Sequence, residues 1–209
     1  NKDQTYFMWG IERDVVRRMI TPVGGLTKEE TRAAARQLGL VTADKKESVD
    51  ICFVPDGDYP SVLARHLGAE TPALAPGPFL NTAGDVVGSH DGYARYTIGQ
   101  RKGLPGGYAN PMFVVAIQPE QRAVVIGTAD ELYGHRAELE EMNWLVQPLS
   151  VGDECELQIR YRSQAVPARV VATNGRLELE LNEPARAITP GQSGVIYDGD
   201  KLLGGGVLS

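Results

Sequence analysis

The chain has 209 residues, with 21 Lys and Arg against 27 Asp and Glu and a formal net charge of −6, a balance that excludes a protein cationic over its whole surface. Hydrophobic residues make up 42% and charged ones 23%, and no apolar run approaches the roughly 20 residues of a membrane span, so a globular chain is expected rather than a disordered, fibrous or membrane-spanning one. Two cysteines, Cys52 and Cys155, and histidines at 66, 90 and 135 supply neither a disulfide framework nor a metal-ligand spacing, and a reducing cytoplasm is the expected compartment.

Asn1-Lys2-Asp3-Gln4-Thr5-Tyr6-Phe7 has no initiator Met and no secretory pattern, and reads as the middle of an ordered protein, so a fragment of a longer chain is expected. Short helices are expected over 3–9 and over 12–19, ahead of Pro22. The clearest helix signal follows. Thr27 and Glu30 have the Ser/Thr-x-x-Glu spacing of a capping box, an alanine run continues to Leu38, and Gly39 stands where a left-handed terminal residue is wanted. A further helix is expected over 58–67, capped by Asp56 or Asp58 and stopped by Gly68.

Past residue 68 the texture becomes Pro/Gly-rich and then β. Asn81 to Asp85 reads as a hairpin turn, and Phe113–Ile117 with Ala123–Ile126 flank another. From about residue 136 the pattern is nearly all strand, with Asn174-Gly175 and Asp198-Gly199 placed as two-residue hairpin turns. Several short strands with closely spaced turns point to a small closed barrel.

Charge comes in blocks. Residues 92–119 carry +3 from Arg95, Arg101 and Lys102 with no acid, and residues 155–176 carry +3 from Arg160, Arg162, Arg169 and Arg176 against Glu156 alone. Either island could attract phosphates, since screening confines the field to about 10 Å, and a solvated β face would look the same. Arg160-Tyr161-Arg162, taken as a strand, would place both guanidiniums on one face. Cys52 is open to two readings from its neighbours, a small apolar core residue or a nucleophile at the edge of a site; Lys45 and Lys46 favour its thiolate and Asp50 disfavours it. Cys155, between two acids on an expected strand, reads as structural. A nucleophilic triad of Cys52, His90 and Asp91 can be written down, with no spacing to support it.

Taken together, Asn1 to Phe7, Pro22-Val23-Gly24, Leu38 to Ala43, Ile51-Cys52-Phe53, Gly88-Ser89-His90-Asp91-Gly92, Tyr96 to Leu104, Arg160-Tyr161-Arg162, Thr189-Pro190-Gly191-Gln192-Ser193 and Leu203-Gly204-Gly205-Gly206 resemble the tRNA-specific 2-thiouridylase (MnmA-type) family along essentially the whole chain. The resemblance implies an α+β multi-domain fragment: residues 1–57 as the helical tail of an α/β ATP-pyrophosphatase domain, 58–134 as a small, mostly β central tRNA-associated domain, and 135–209 as a C-terminal antiparallel β-barrel. It implies an ATP-dependent tRNA sulfurtransferase acting on the wobble uridine, with tRNA as substrate, ATP as co-substrate, no metal, and a sulfur-relay protein or cysteine desulfurase as donor. It makes Cys52 the persulfide carrier, with release assisted by a first catalytic cysteine that either frees sulfide or forms a disulfide with Cys52; this sequence lacks that cysteine, along with the family's phosphate-binding Ser-Gly-Gly-x-Asp-Ser loop. tRNA contacts carry over to Lys2, Asp3, Gln4, Arg160, Tyr161 and Gln192. Arg101 and Lys102, from the acid-free island, are added as expected backbone contacts. One departure is Asp50, where the family commonly has a small residue. The competing expectation is a non-catalytic, translation-associated RNA-binding barrel with Cys52 in its core.

Overall fold

In the computed structural model, which describes residues 4–45, 54 and 58–209, the helical third is built by its caps. α1 (Arg13–Val16) is shorter than the expected 12–19, because beyond it Arg18 and Met19 donate to carbonyls only three residues back, the tighter turn common at helix ends. Over 3–9 there is a single 3₁₀ turn, Thr5–Phe7, whose side chains are held against the barrel instead. α2 (Lys28–Gln37) has the full capping box: the Thr27 hydroxyl accepts the Glu30 N–H, and the Glu30 carboxylate accepts the Thr27 N–H. Gly39 follows at φ +66°, a left-handed conformation cheap only for glycine. α3 (Tyr59–Leu67) starts at Asp58, which accepts from Ser61 N–H, and stops at Gly68.

β1 (Gly77–Asn81), β2 (Val86–His90), β3 (Phe113–Gln118) and β4 (Ala123–Gly127) form a four-stranded sheet in the order β2-β1-β4-β3. The expected hairpins are its two antiparallel pairs, joined by a parallel β1/β4 contact. β4 is buried along its length because both faces are covered, Val124 and Ile126 packing with Phe79, Val114 and Leu132, and Ala123 and Val125 with Leu80. His90 is part of this core, 4% exposed, edge-on to Phe79 and beside Tyr96, with Nδ1 accepting the Gly92 N–H at 3.1 Å. Burial pulls its pKa below the usual histidine range.

β5 (Tyr133–Trp144), β6 (Glu154–Gln158), β7 (Val166–Ala172), β8 (Leu177–Arg186), β9 (Ser193–Asp198) and β10 (Lys201–Leu208) close into a six-stranded barrel, β10-β5-β8-β7-β6-β9, antiparallel throughout. Alternation fills it: Leu177, Leu179 and Leu181 point inward and Glu178 and Glu180 outward along β8, with Leu139, Leu157, Ile196 and Leu208 completing the interior. Cys155 is buried in this wall. Both expected two-residue turns shift. Thr173 to Arg176 make a four-residue link between β7 and β8, and a register slip between Val170 and Ala172 precedes it. The last turn is Gly199-Asp200, since Asp198 still pairs with Lys201.

Candidate functional site

The N-terminal segment lies on the outside of the barrel. On β9, Ile196 faces inward and Val195 and Tyr197 outward, and Tyr6 covers these two. Its buried hydroxyl donates to the Ser193 carbonyl at 2.8 Å, and burial raises its pKa. Asn143 on β5 donates its amide to the carbonyls of Trp9 and Ile11. Trp9 fits because a Cβ on Gly205 would stand 2.8 Å from the indole and 2.8 Å from the Gly194 carbonyl. The terminal Leu203-Gly204-Gly205-Gly206 motif thus makes room for this segment.

Docking brings Gln4 to the β6–β7 connection, where its Nε2 donates to the Tyr161 hydroxyl at 2.9 Å. Phe7 lies against Tyr161, ring centroids 4.6 Å apart, and perpendicular to the Tyr6 ring at 5.4 Å. A cleft of about 160 Å³ opens beside them, lined by Thr5, Tyr6, Gln158, Tyr161 and Tyr197. That is below the roughly 300–1,000 Å³ of a small-molecule pocket, so this region offers a surface, not an enclosure.

Arg160 joins the barrel to the small sheet. Its Nη2 donates to the Ile98 carbonyl at 3.4 Å, the Ala187 carbonyl at 3.1 Å and the Thr189 hydroxyl at 3.2 Å. Ala187, at φ +59°, is buried in the small sheet's core, and its N–H donates to the Leu132 carbonyl at 2.7 Å. Next to it Arg186 stands over Phe113, Cζ 5.4 Å from the ring centroid. Ile98 belongs to the basic turn that carries Arg101 and Lys102, both exposed. Gln100 shapes that turn, its Oε1 accepting Thr97 N–H and its Nε2 donating to the Lys102 carbonyl.

Three family models match consecutive stretches: a tRNA methyl transferase HUP domain over residues 1–56, a tRNA methyl transferase PRC-barrel domain over 61–128, and an aminomethyltransferase β-barrel domain over 135–208. Curated proteins named tRNA-specific 2-thiouridylase align with nearly all of the chain. The protein from Acidithiobacillus ferrooxidans is 45% identical over 208 residues, 98% of this chain and 58% of its own length. Those from Carboxydothermus hydrogenoformans and Geobacter metallireducens are 46% and 39% identical, over 99% and 98% of this chain. The chain belongs to the tRNA-specific 2-thiouridylase family. It spans about 58% of the length of the first of these relatives.

The site residues expected from the sequence, by resemblance to the 2-thiouridylases or from the acid-free basic island, divide into three groups. Lys2, Asp3 and Cys52 lie outside the described residues. Gln4 and Tyr161 meet directly, and Arg160 reaches the Thr189–Gln192 turn through Thr189. Arg101 and Lys102 stand on the neighbouring turn of the small sheet, tied to Arg160 at Ile98. Arg160-Tyr161-Arg162 is a turn after β6 and not a strand, so its side chains do not alternate: Arg160 points into the joint and Arg162 is exposed, Cζ 5.9 Å from the Tyr161 ring centroid.

The second basic island is dispersed. Arg169 sits between Glu154 and Glu180 in the register of β6, β7 and β8, and Arg176 pairs with Glu138 and, at 4.0 Å, Glu140. Folding has placed acids from other strands beside these two arginines. Phe7 has no role in the sequence reading, where Lys2, Asp3 and Gln4 carry the polar chemistry, yet the adjacent Tyr6-Phe7 pair leaves one ring buried and the other exposed. Among the described residues no group of three His, Cys, Asp or Glu side chains could hold a metal, and no helix is long and apolar enough to cross a membrane.

Proposed function

We propose that the chain serves an ATP-dependent tRNA uridine 2-sulfurtransferase, contributing the tRNA-engaging surface and the persulfide-carrying Cys52. The observation that carries this is collinear identity of 45–46% over 98–99% of the chain with proteins named for the reaction. ATP adenylates the C2 oxygen of the uridine and pyrophosphate departs. The outer sulfur of the Cys52 persulfide attacks C2, the C2–O bond breaks, and AMP leaves. A second thiol then attacks the Cys52 sulfur, cleaving the S–S bond, as thiol–disulfide exchange requires. The sulfur comes from a relay protein or cysteine desulfurase, and the compartment is the cytoplasm.

Residues 1–57, 58–134 and 135–209 are the three parts of the division, a reading supported by the stretches that the three family models match. Lys2, Asp3, Gln4, Arg160, Tyr161 and Gln192 contact tRNA in this reading, with Arg101 and Lys102 on its backbone. The meeting of Gln4 with Tyr161 supports a shared surface.

The test is mass spectrometry of the protein as its gene encodes it, after incubation with a cysteine desulfurase and cysteine. Added sulfur on Cys52, absent in Cys52→Ser, is the expected result. Sulfur carried elsewhere, or none, would overturn the carrier role and favour a non-catalytic RNA-binding barrel.

A further inference from the structure

We propose that Phe7, backed by Tyr161, is a stacking platform for an unpaired base of RNA, with Arg162 placed for the adjoining phosphate. This rests on the reading of the chain as a tRNA-engaging protein, and it names a residue that the resemblance left without a role. Phe7 is 58% exposed, although it sits between two aromatic residues at the joint of two packed segments. Tyr161 lies 4.6 Å from its ring, tilted by 42°, and Tyr6 5.4 Å away and perpendicular to it, so two aromatic neighbours hold the ring while more than half of the residue's surface stays open. A ring held by aromatic neighbours and still largely open to solvent loses little conformational freedom when a base lies on it. Base–aromatic stacking is accordingly the recurrent way in which proteins hold splayed-out nucleotides.

The surrounding polar groups fit a nucleotide. The Tyr161 hydroxyl accepts from Gln4 Nε2, which leaves its own proton free to donate to a ribose or phosphate oxygen. The Gln4 side chain is exposed, and its carbonyl oxygen can accept from a base edge. Arg162 is the arginine of the second basic island that is exposed beside this aromatic pair and not set among acids by strand register. The positions of Phe7 and Tyr161 are fixed by the barrel, since the Tyr6 hydroxyl and the Asn143 amide hold the segment on either side of Phe7. A preorganised surface of this kind binds without first ordering itself.

The experiment measures the affinity of an unmodified tRNA transcript for the protein as its gene encodes it, across a salt series. Phe7→Leu keeps the apolar volume and removes the π face; it is expected to weaken binding on the order of tenfold with the salt slope unchanged, and Phe7→Tyr to restore it. Arg162→Ala is expected to lower the salt slope by about one. Phe7→Trp gives an independent readout, since a stacked indole at this position is quenched when tRNA saturates the protein. If the parent protein binds tRNA and Phe7→Leu binds equally well, or the indole emission does not change, the platform is overturned while the tRNA reading stands. If the parent protein does not bind tRNA at all, the underlying reading falls, and the platform with it.

Discussion

The two cysteines show how a side chain's surroundings decide what it can do. Cys155 is 7% exposed in the barrel wall, and burial, helped by the charges of Asp153 and Glu156, pushes its thiol up to about 11 from 9.0. The protonated thiol is the form the fold prefers, so its contribution is fully present below the unfolded value and is lost as pH rises through the folded one. The denaturation midpoint is therefore expected to fall between pH 9 and 11, and to fall less in Cys155→Ala; an identical alkaline profile in the two proteins would contradict this. Its burial in the barrel wall sets Cys155 apart from the chemistry proposed for Cys52. His90 had a similar ambiguity in the sequence, where its pairing with Asp91 allowed a triad to be written. Its place between Phe79 and Tyr96, with Nδ1 taking the Gly92 N–H, makes it a core residue.

Local elements were legible where their signals are local. The Thr27/Glu30 capping box, the Asp58 cap of α3 and the two hairpins of the small sheet need only neighbouring residues to form, and they stand where the sequence puts them. The failures are non-local. Asn174-Gly175 has the composition of a tight turn, yet the bulge at Val170/Ala172 is followed by a longer link. Arg160-Tyr161-Arg162 alternates like a strand, but β6 ends at Gln158, and the turn sends Arg160 to acceptors contributed by distant segments. That placement makes Arg160 a clamp between two sheets. Arg160→Ala removes three hydrogen bonds from a charged donor and is expected to cost about 2 kcal/mol, read from the urea midpoint. A lysine side chain ends one bond short of the position of Nη2, so Arg160→Lys should not fully recover it. Stability equal to that of the parent in Arg160→Ala would show the joint to be held by Ala187 and Phe113 without it.

At the scale of the molecule, the net charge of −6 proved a poor guide in both directions. It conceals an acid-free basic turn around Arg101 and Lys102, and the second apparent island dissolves once β6, β7 and β8 set Glu154 and Glu180 beside Arg169. Strand register, which sequence spacing does not reveal, decides which charges are neighbours. The same holds for the candidate surface, where residues 4–7 and 160–162 meet only because Tyr6 finds the outward face of β9. Exposed apolar side chains are concentrated elsewhere, at Val15, Met19, Ile20, Val23, Leu26, Leu38, Leu40 and Val41, so α2 has a well-formed cap and no buried residue. Its boundaries come from capping and not from a core.

Function at this scale rests on the family to which the chain belongs, and it is tested most directly by nucleoside analysis of the product. The protein as its gene encodes it is incubated with unmodified tRNA, ATP, cysteine and a cysteine desulfurase, and the tRNA is digested and analysed by mass spectrometry. The account predicts 2-thiouridine that requires ATP and disappears in Cys52→Ser. Absence of 2-thiouridine from the parent reaction, or its undiminished formation by Cys52→Ser, would contradict it.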